Sequence, residues 1–163
     1  MDLVPALARW LHIAAGICWL GLLFYFVFVQ AAAMKDAAAD GTAAGIVRHV
    51  MPRALRWFRW SAVVTWLAGA ALLGGRFTDA FTLSGGMAGI GIGAWLGTLM
   101  LVNVWAILWP AQKKVLGLVP ATDDEKAKAR RVAFLVSRFN LMLSIPMLFF
   151  MAGGWSHRAD FGM

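Results

Sequence analysis

The sequence has little of what most catalytic and metal centres use. It contains a single cysteine, Cys18, so it has no disulfide framework and no CxxC motif for a metal or for haem attachment. Its eight acidic residues all lie outside the long apolar runs. Because a proton-driven pump or transporter needs a buried carboxylate to titrate, this pattern speaks against that class. The sequence also contains no HExxH and no phosphate-binding loop.

Four long apolar runs fill most of the 163 residues. In hydrocarbon a backbone must satisfy its own hydrogen bonds, so such runs form helices, and a span needs roughly 20 residues. The runs predict spans over residues 6–34, 57–75, 85–109 and 132–154. We therefore expect an all-α integral membrane protein, a four-transmembrane-helix bundle that forms a single domain over residues 1–163. The first run is too long for the apolar core of a cleavable signal peptide.

Positive charge falls almost entirely on one side of these runs. The connections after the first and third runs carry Lys35, Arg48, Arg53, Arg56, Lys113, Lys114, Lys126, Lys128, Arg130 and Arg131, and the other side carries Arg9, Arg76 and Arg158. Because basic residues stay cytoplasmic, both termini are predicted to be periplasmic, in a multi-pass protein of a bacterial inner membrane. Topology and anionic headgroups then account for the net charge of +7. We expect the lipid bilayer as the partner, and no nucleic acid.

Both cytoplasmic connections are predicted to be amphipathic. In the first, Ile46, Val50 and Leu55 recur at helical spacing among basic residues, with Pro52 at a helix start or a kink. In the second, Thr122 followed by Glu125 predicts a capped helix start that continues into the fourth span.

Three histidines are the candidates for chemistry. His12 lies in the first predicted span, His49 in the first cytoplasmic connection, and His157 after the fourth span. The hydrocarbon thickness, about 30 Å, separates His49 from the other two, which lie on the same side. An ionisable group inside a bilayer is a functional candidate by default. A hydrogen bond to a neighbouring helix would explain His12 equally well, so both interpretations stay open.

The neighbours of His12 are compatible with a flat ligand. Gly16 and Trp19 follow at i+4 and i+7 on the same helix face, where a glycine leaves space and a tryptophan forms a wall. The glycines of the third span serve either close helix packing or such a ligand. Arg138, in the inner half, either snorkels to the headgroups or pairs with an anion such as a haem propionate, or with Asn103.

Several stretches resemble the membrane domain of PuuD-type urate hydroxylases. They are residues 10–21, 24–30, 52–60, 103–114 and 137–151, and they include polar and proline positions as well as apolar ones. Full-length members carry a C-terminal cytochrome c domain, which implies electron transfer to an external acceptor. This sequence contains no CxxCH and resembles a short four-helix relative without that domain. A weaker resemblance, at Leu11–Ala14, is to HemJ-type protoporphyrinogen oxidases, which bind haem b through a first-helix histidine.

Three functions are expected from these observations. The first is a urate hydroxylase-like membrane redox protein with haem b, which moves electrons between a small substrate or quinone and a periplasmic cytochrome c. Its expected axial ligands to the haem iron are His12 and His157, and its other cofactor-binding candidates are Gly16, Trp19, Asn103 and Arg138. The second is a cofactor-free structural subunit of a larger membrane complex. The third is a HemJ-like protoporphyrinogen oxidase. A homo-oligomer is also an open expectation.

Overall fold

A computed structural model describes residues 3–153, which are helical and contain no strand. Four long helices make up most of this part of the chain. They are the first long helix, Leu3–Ala39, the second, Met51–Leu73, the third, Ala88–Val115, and the fourth, Asp123–Met151. A short helix, Ala43–Gly45, and a π-helical turn, Ile46–Val50, join the first two. A 3₁₀ turn, Gly74–Arg76, and a helix, Phe77–Phe81, lead towards the third. The expected all-helical architecture is confirmed.

Two of the long helices contain a π-helical segment in their interior. Tyr25–Gln30 separates Leu3–Phe24 from Ala31–Ala39, and Asn103–Leu108 separates Ala88–Val102 from Trp109–Val115. A π-helical turn has a wider hydrogen-bonded ring than an α-helical turn, and such turns are frequent at functional sites. The sequence analysis did not foresee either segment.

The core lies between two pairs of helices, the first with the second and the third with the fourth. Its most buried large side chains are Leu23, Leu55, Phe58, Met100 and Leu108. Residues next to both basic connections, such as Met51, Ala111 and Ala129, belong to the same buried cluster. The two connections therefore lie at one end of the bundle, which we call the basic end.

Three of the four long helices are long and apolar enough to cross a membrane, as expected of a multi-pass membrane protein. The second does not meet that condition because Arg53, Arg56 and Arg59 occupy its first turns. Its uninterrupted apolar part, from Trp60 to Leu73, is about 20 Å long at 1.5 Å per residue. That is shorter than the roughly 30 Å of hydrocarbon in a bilayer. Two statements therefore remain predictions: that the second helix crosses the membrane, and that both termini are periplasmic.

The helix ends differ from the predicted spans at several points. Pro52 lies at a helix start, one of the two positions expected for it, because it occupies the first turn of the second long helix, where its missing N–H costs nothing. That helix ends at Leu73 because Gly74 adopts a φ of +49°. The third helix begins at Ala88 and not at residue 85, since Gly85 and Gly86 have φ values of +57° and +74° and belong to the connection.

The predicted start of the fourth long helix is confirmed. The Thr122 Oγ1 atom accepts a hydrogen bond from the Glu125 N–H at 3.2 Å, and a Glu125 carboxylate oxygen accepts one from the Thr122 N–H at 2.9 Å. This reciprocal pair is a capping box, which satisfies two backbone donors at once. Lys114, at the end of the third long helix, lies 3.2 Å from the Glu125 carboxylate.

The capping box predicts a measurable difference between two threonines at helix starts. Thr122→Ala should lower the free energy of unfolding by about 1 kcal/mol, because it removes a side-chain cap. Thr42→Ala is the control, since the Thr42 side chain makes no capping hydrogen bond and donates only a long one, of 3.5 Å, to the Ala37 carbonyl. Unfolding of both variants in detergent, followed by circular dichroism, would contradict this assignment if Thr42→Ala cost as much as Thr122→Ala.

Candidate functional site

A cavity of about 700 Å³ opens between the four long helices, at the end opposite the basic end. The first helix contributes Arg9, His12, Gly16 and Trp19 to its wall, and the second contributes Thr65, Trp66 and Gly69. The remaining wall includes Phe77, Phe81, Gly97, Met147 and Met151. This volume lies within the range of pockets that hold small molecules and cofactors, and the lining is largely apolar, as in such pockets.

His12 is held in this wall by a hydrogen bond to the backbone of the second long helix. Its Nδ1 atom lies 2.8 Å from the carbonyl oxygen of Thr65. Because a carbonyl can only accept, Nδ1 donates in this bond, and in a neutral imidazole Nε2 then carries a lone pair. No hydrogen bond to Nε2 is found among residues 3–153. Metal-binding histidines commonly have this arrangement, in which one ring nitrogen donates to a carbonyl and the other is the ligand.

Gly69 makes the position of His12 possible. A Cβ atom at Gly69 would lie 2.9 Å from both Nδ1 and Cε1 of the His12 ring, closer than side chains normally approach. Thr65 and Gly69 are one helical turn apart, so the carbonyl acceptor and the gap for the ring are adjacent. The sequence analysis missed this pair. The available signal was a glycine four residues after a threonine within a predicted span.

Trp19 and Arg9 are the other polar groups that bear on this wall. Trp19 is only 3% exposed, and its indole N–H is enclosed by protein and has no hydrogen-bond partner in residues 3–153. Leaving a buried donor unpaired is costly, so this N–H is an unsatisfied group next to the cavity. Arg9, one turn before His12, brings a positive charge to the same wall and forms no ion pair within the described part of the chain. Arg9 was not among the residues expected from sequence.

The glycines of the bundle differ in their surroundings. Gly91 packs against the backbone carbonyl of Ala80, and Gly93 lies against Met151, so these two allow close packing. Gly97 lines the cavity, and a Cβ there would have no neighbour within 4 Å. Gly16 also lines the cavity, and a Cβ there would make only an ordinary contact of 3.7 Å with Thr65.

Two of the expected cofactor-binding residues do not lie in this wall. The Asn103 amide donates to the Asn140 side-chain oxygen at 2.8 Å, and the Asn140 amide donates to the Met100 carbonyl at 3.1 Å. This buried network joins the third and fourth long helices. Arg138 is exposed, with its guanidinium 5.4 Å from the centre of the Phe134 ring.

His12 and His49, the two histidines within residues 3–153, lie at opposite ends of the bundle. His49 is exposed in the π-helical turn at the basic end, where its carbonyl accepts a hydrogen bond from Arg53. His157 lies outside residues 3–153, so its expected role as a second ligand stays a prediction. Within those residues, no group of three or more His, Cys, Asp or Glu side chains is placed to hold a metal ion.

The helices, their apolar surfaces and the histidine-lined cavity define a helical membrane protein with a candidate cofactor site. The chain belongs to the Urate oxidase N-terminal family, whose model matches residues 1–80 and 76–157. This match confirms the resemblance to the PuuD-type membrane domain that the sequence motifs indicated. Neither the comparison with curated proteins nor the comparison with solved structures finds a match.

The contact between His12 and Gly69 predicts the effect of adding one methyl group. Gly69→Ala should displace the His12 ring and weaken its bond to Thr65, at a cost of about 1–3 kcal/mol for overpacking. This exceeds the gain of about 1 kcal/mol that alanine brings to a helix interior. Gly21→Ala is the control, because a Cβ there has no neighbour within 4 Å. Unfolding free energies should fall for Gly69→Ala and not for Gly21→Ala; equal values would contradict the contact.

The asparagine network predicts an interaction energy between two helices. In a double-mutant cycle, Asn103→Ala and Asn140→Ala should be coupled by about 0.5–1.5 kcal/mol, as measured for interhelical hydrogen bonds in membranes. Unfolding free energies in detergent give this value directly. Effects of the two substitutions that simply add would show that the side chains do not depend on each other.

Proposed function

We propose that this protein is a membrane redox protein that binds haem b in the cavity beside His12, with His12 as an axial ligand. The observation that carries the proposal is the 2.8 Å hydrogen bond between Nδ1 of His12 and the Thr65 carbonyl. The Thr65 carbonyl fixes the proton on Nδ1 and leaves the Nε2 lone pair without a partner among the described residues. We also propose that the protein lies in a bacterial inner membrane, with both termini on the periplasmic side.

The other residues of the wall fit this cofactor. Arg9 supplies a cation for a carboxylate at the edge of the ligand, and Trp19 forms part of the wall. Phe77, Phe81 and other apolar side chains give the same space a largely apolar lining. Arg138 and Asn103 have no place in this arrangement, since neither lines the cavity.

Haem b, when bound, supplies one-electron transfer, and its potential depends strongly on its axial ligands. The contribution of the chain is to orient the imidazole through Thr65, to keep Gly69 free of a side chain, and to exclude water. His157 is the proposed second ligand. Within the described residues, the fourth long helix brings Met147 and Met151 to the same cavity, and a thioether is the other ligand that the wall offers.

Family membership supports an oxidative role for the site. The family takes its name from urate oxidase. We therefore propose that electrons pass from a small heterocycle similar to urate, or from a quinone, to a periplasmic cytochrome. The third expected function, oxidation of a porphyrinogen, would use the same histidine and differs in its substrate. Assays of urate and protoporphyrinogen oxidation with the haem-loaded protein distinguish the two activities.

A second candidate function is favoured by the same hydrogen bond. A histidine that bonds a neighbouring carbonyl can serve helix packing alone, as it would in a cofactor-free subunit of a larger membrane complex. The two functions differ in the part played by Nε2, which is a ligand in the first and unused in the second.

The absorbance spectrum of the detergent-purified protein tests the proposal. We expect a haem b band in the reduced-minus-oxidised spectrum that is lost in His12→Ala and kept in His49→Ala, a matched control at the opposite end of the bundle. A folded preparation without the band, even when haem is added during expression, would overturn the proposal and favour the structural subunit. Circular dichroism of both variants shows whether they are folded.

The same spectra identify the second ligand. His157→Ala should change the oxidised spectrum if His157 binds the iron, whereas Met147→Leu and Met151→Leu should not. A thioether ligand would reverse this result and give a higher reduction potential, since methionine in place of histidine raises the potential.

A further inference from the structure

We propose that the second long helix carries, at the basic end, a binding site for the phosphate of an anionic phospholipid, formed by Arg53, Arg56 and Trp57. These three side chains and Pro52 line a concave surface of about 400 Å³. It is separate from the cavity beside His12 and does not depend on the proposed redox function. Clusters of basic residues at the cytoplasmic ends of membrane helices are a known form of lipid recognition.

The arginines on this surface lack acidic partners. The two ion pairs found in residues 3–153 join Lys114 to Glu125 and Lys126 to Asp123, and neither involves the second long helix. Arg53 donates one hydrogen bond to the His49 carbonyl, which holds its side chain along the helix. No hydrogen bond is found for the Arg56 guanidinium within the described residues.

The arrangement of positive charge also favours an anion. Arg53, Arg56 and Arg59 follow at intervals of three residues, and like charges at this spacing oppose helix formation. Arg59 is engaged elsewhere, because it donates to the Leu55 carbonyl and its guanidinium lies 3.3 Å from the centre of the Trp109 ring. Arg53 and Arg56 are therefore available to bind one phosphate together. A guanidinium group binds phosphate through two parallel hydrogen bonds.

The aromatic wall of the site indicates a lipid and not free phosphate. Trp57 is 68% exposed beside the two arginines, and Trp60, one turn further on, is 55% exposed. Tryptophans at this depth lie at the level of the headgroups, where the ring contacts both the headgroup and the start of the acyl chains. Trp60 makes an edge contact with Trp105, with ring centres 5.6 Å apart, whereas no ring contact is found for Trp57 within the described residues. Inorganic phosphate would satisfy the arginines but leave the exposed Trp57 ring without a partner.

Lipid binding to the purified protein tests this proposal. We would titrate phosphatidylglycerol and phosphatidylcholine into wild-type protein, Arg53→Gln/Arg56→Gln and Arg130→Gln/Arg131→Gln. The last variant is the matched control, because it removes the same charge from an exposed arginine pair near the start of the fourth long helix. Native mass spectrometry counts bound lipids, and the midpoint of thermal unfolding reports the affinity.

We expect phosphatidylglycerol, but not phosphatidylcholine, to bind the wild-type protein and the control and to raise their unfolding temperatures. The Arg53/Arg56 variant should bind it about tenfold more weakly, and Trp57→Ala should also weaken it. Equal losses in the two arginine variants would overturn the proposal, because only the overall charge would then matter. Inorganic phosphate that reproduces the effect of the lipid, or an unchanged affinity in Trp57→Ala, would overturn the assignment to a lipid.

Discussion

The close approach of the first and second long helices at Gly69 is the contact on which the candidate site depends. A backbone carbonyl has two lone pairs, so the Thr65 oxygen can accept from His12 in addition to the hydrogen bonding of its own helix. The imidazole reaches that oxygen only because Gly69 has no side chain in its path. One missing Cβ therefore decides the orientation of His12, its tautomer, and the nitrogen that is left for a ligand.

The polar groups inside the bundle divide into those that pair with each other and those that do not. Asn103 donates to Asn140, and Asn140 donates to the Met100 carbonyl, so these groups are paired in their apolar surroundings. The indole of Trp19 is buried next to the cavity and has no partner among the described residues. The first kind stabilises the bundle, and the second is a donor whose hydrogen bond residues 3–153 do not supply. His12 belongs to both kinds, since one ring nitrogen is paired and no bond is found for the other.

The two ends of the bundle consequently have different chemistry. Among the described residues, the cavity wall contains one histidine and one arginine and is otherwise largely apolar, which suits a buried ligand of low polarity. At the basic end, arginines and lysines lie beside exposed tryptophans, which suits contact with charged headgroups.

The helical class, the three long apolar helices, the capped start at Thr122 and the family were all determined by the sequence itself. These features depend on local pattern, namely runs of apolar residues, a cap three residues before its partner, and a set of motifs in order. The tertiary structure alone decided that Thr65 and Gly69 meet His12, that Arg9 and Trp19 share its cavity, and that Asn103 lies elsewhere with Asn140. It also showed the π-helical segments Tyr25–Gln30 and Asn103–Leu108 inside two long helices. The positive φ values of Gly74 and Gly85 set helix ends that differ from the predicted spans. The reason is physical. Contacts between helices depend on which faces meet, and the residue pattern along one helix does not specify which face of the neighbouring helix it will contact.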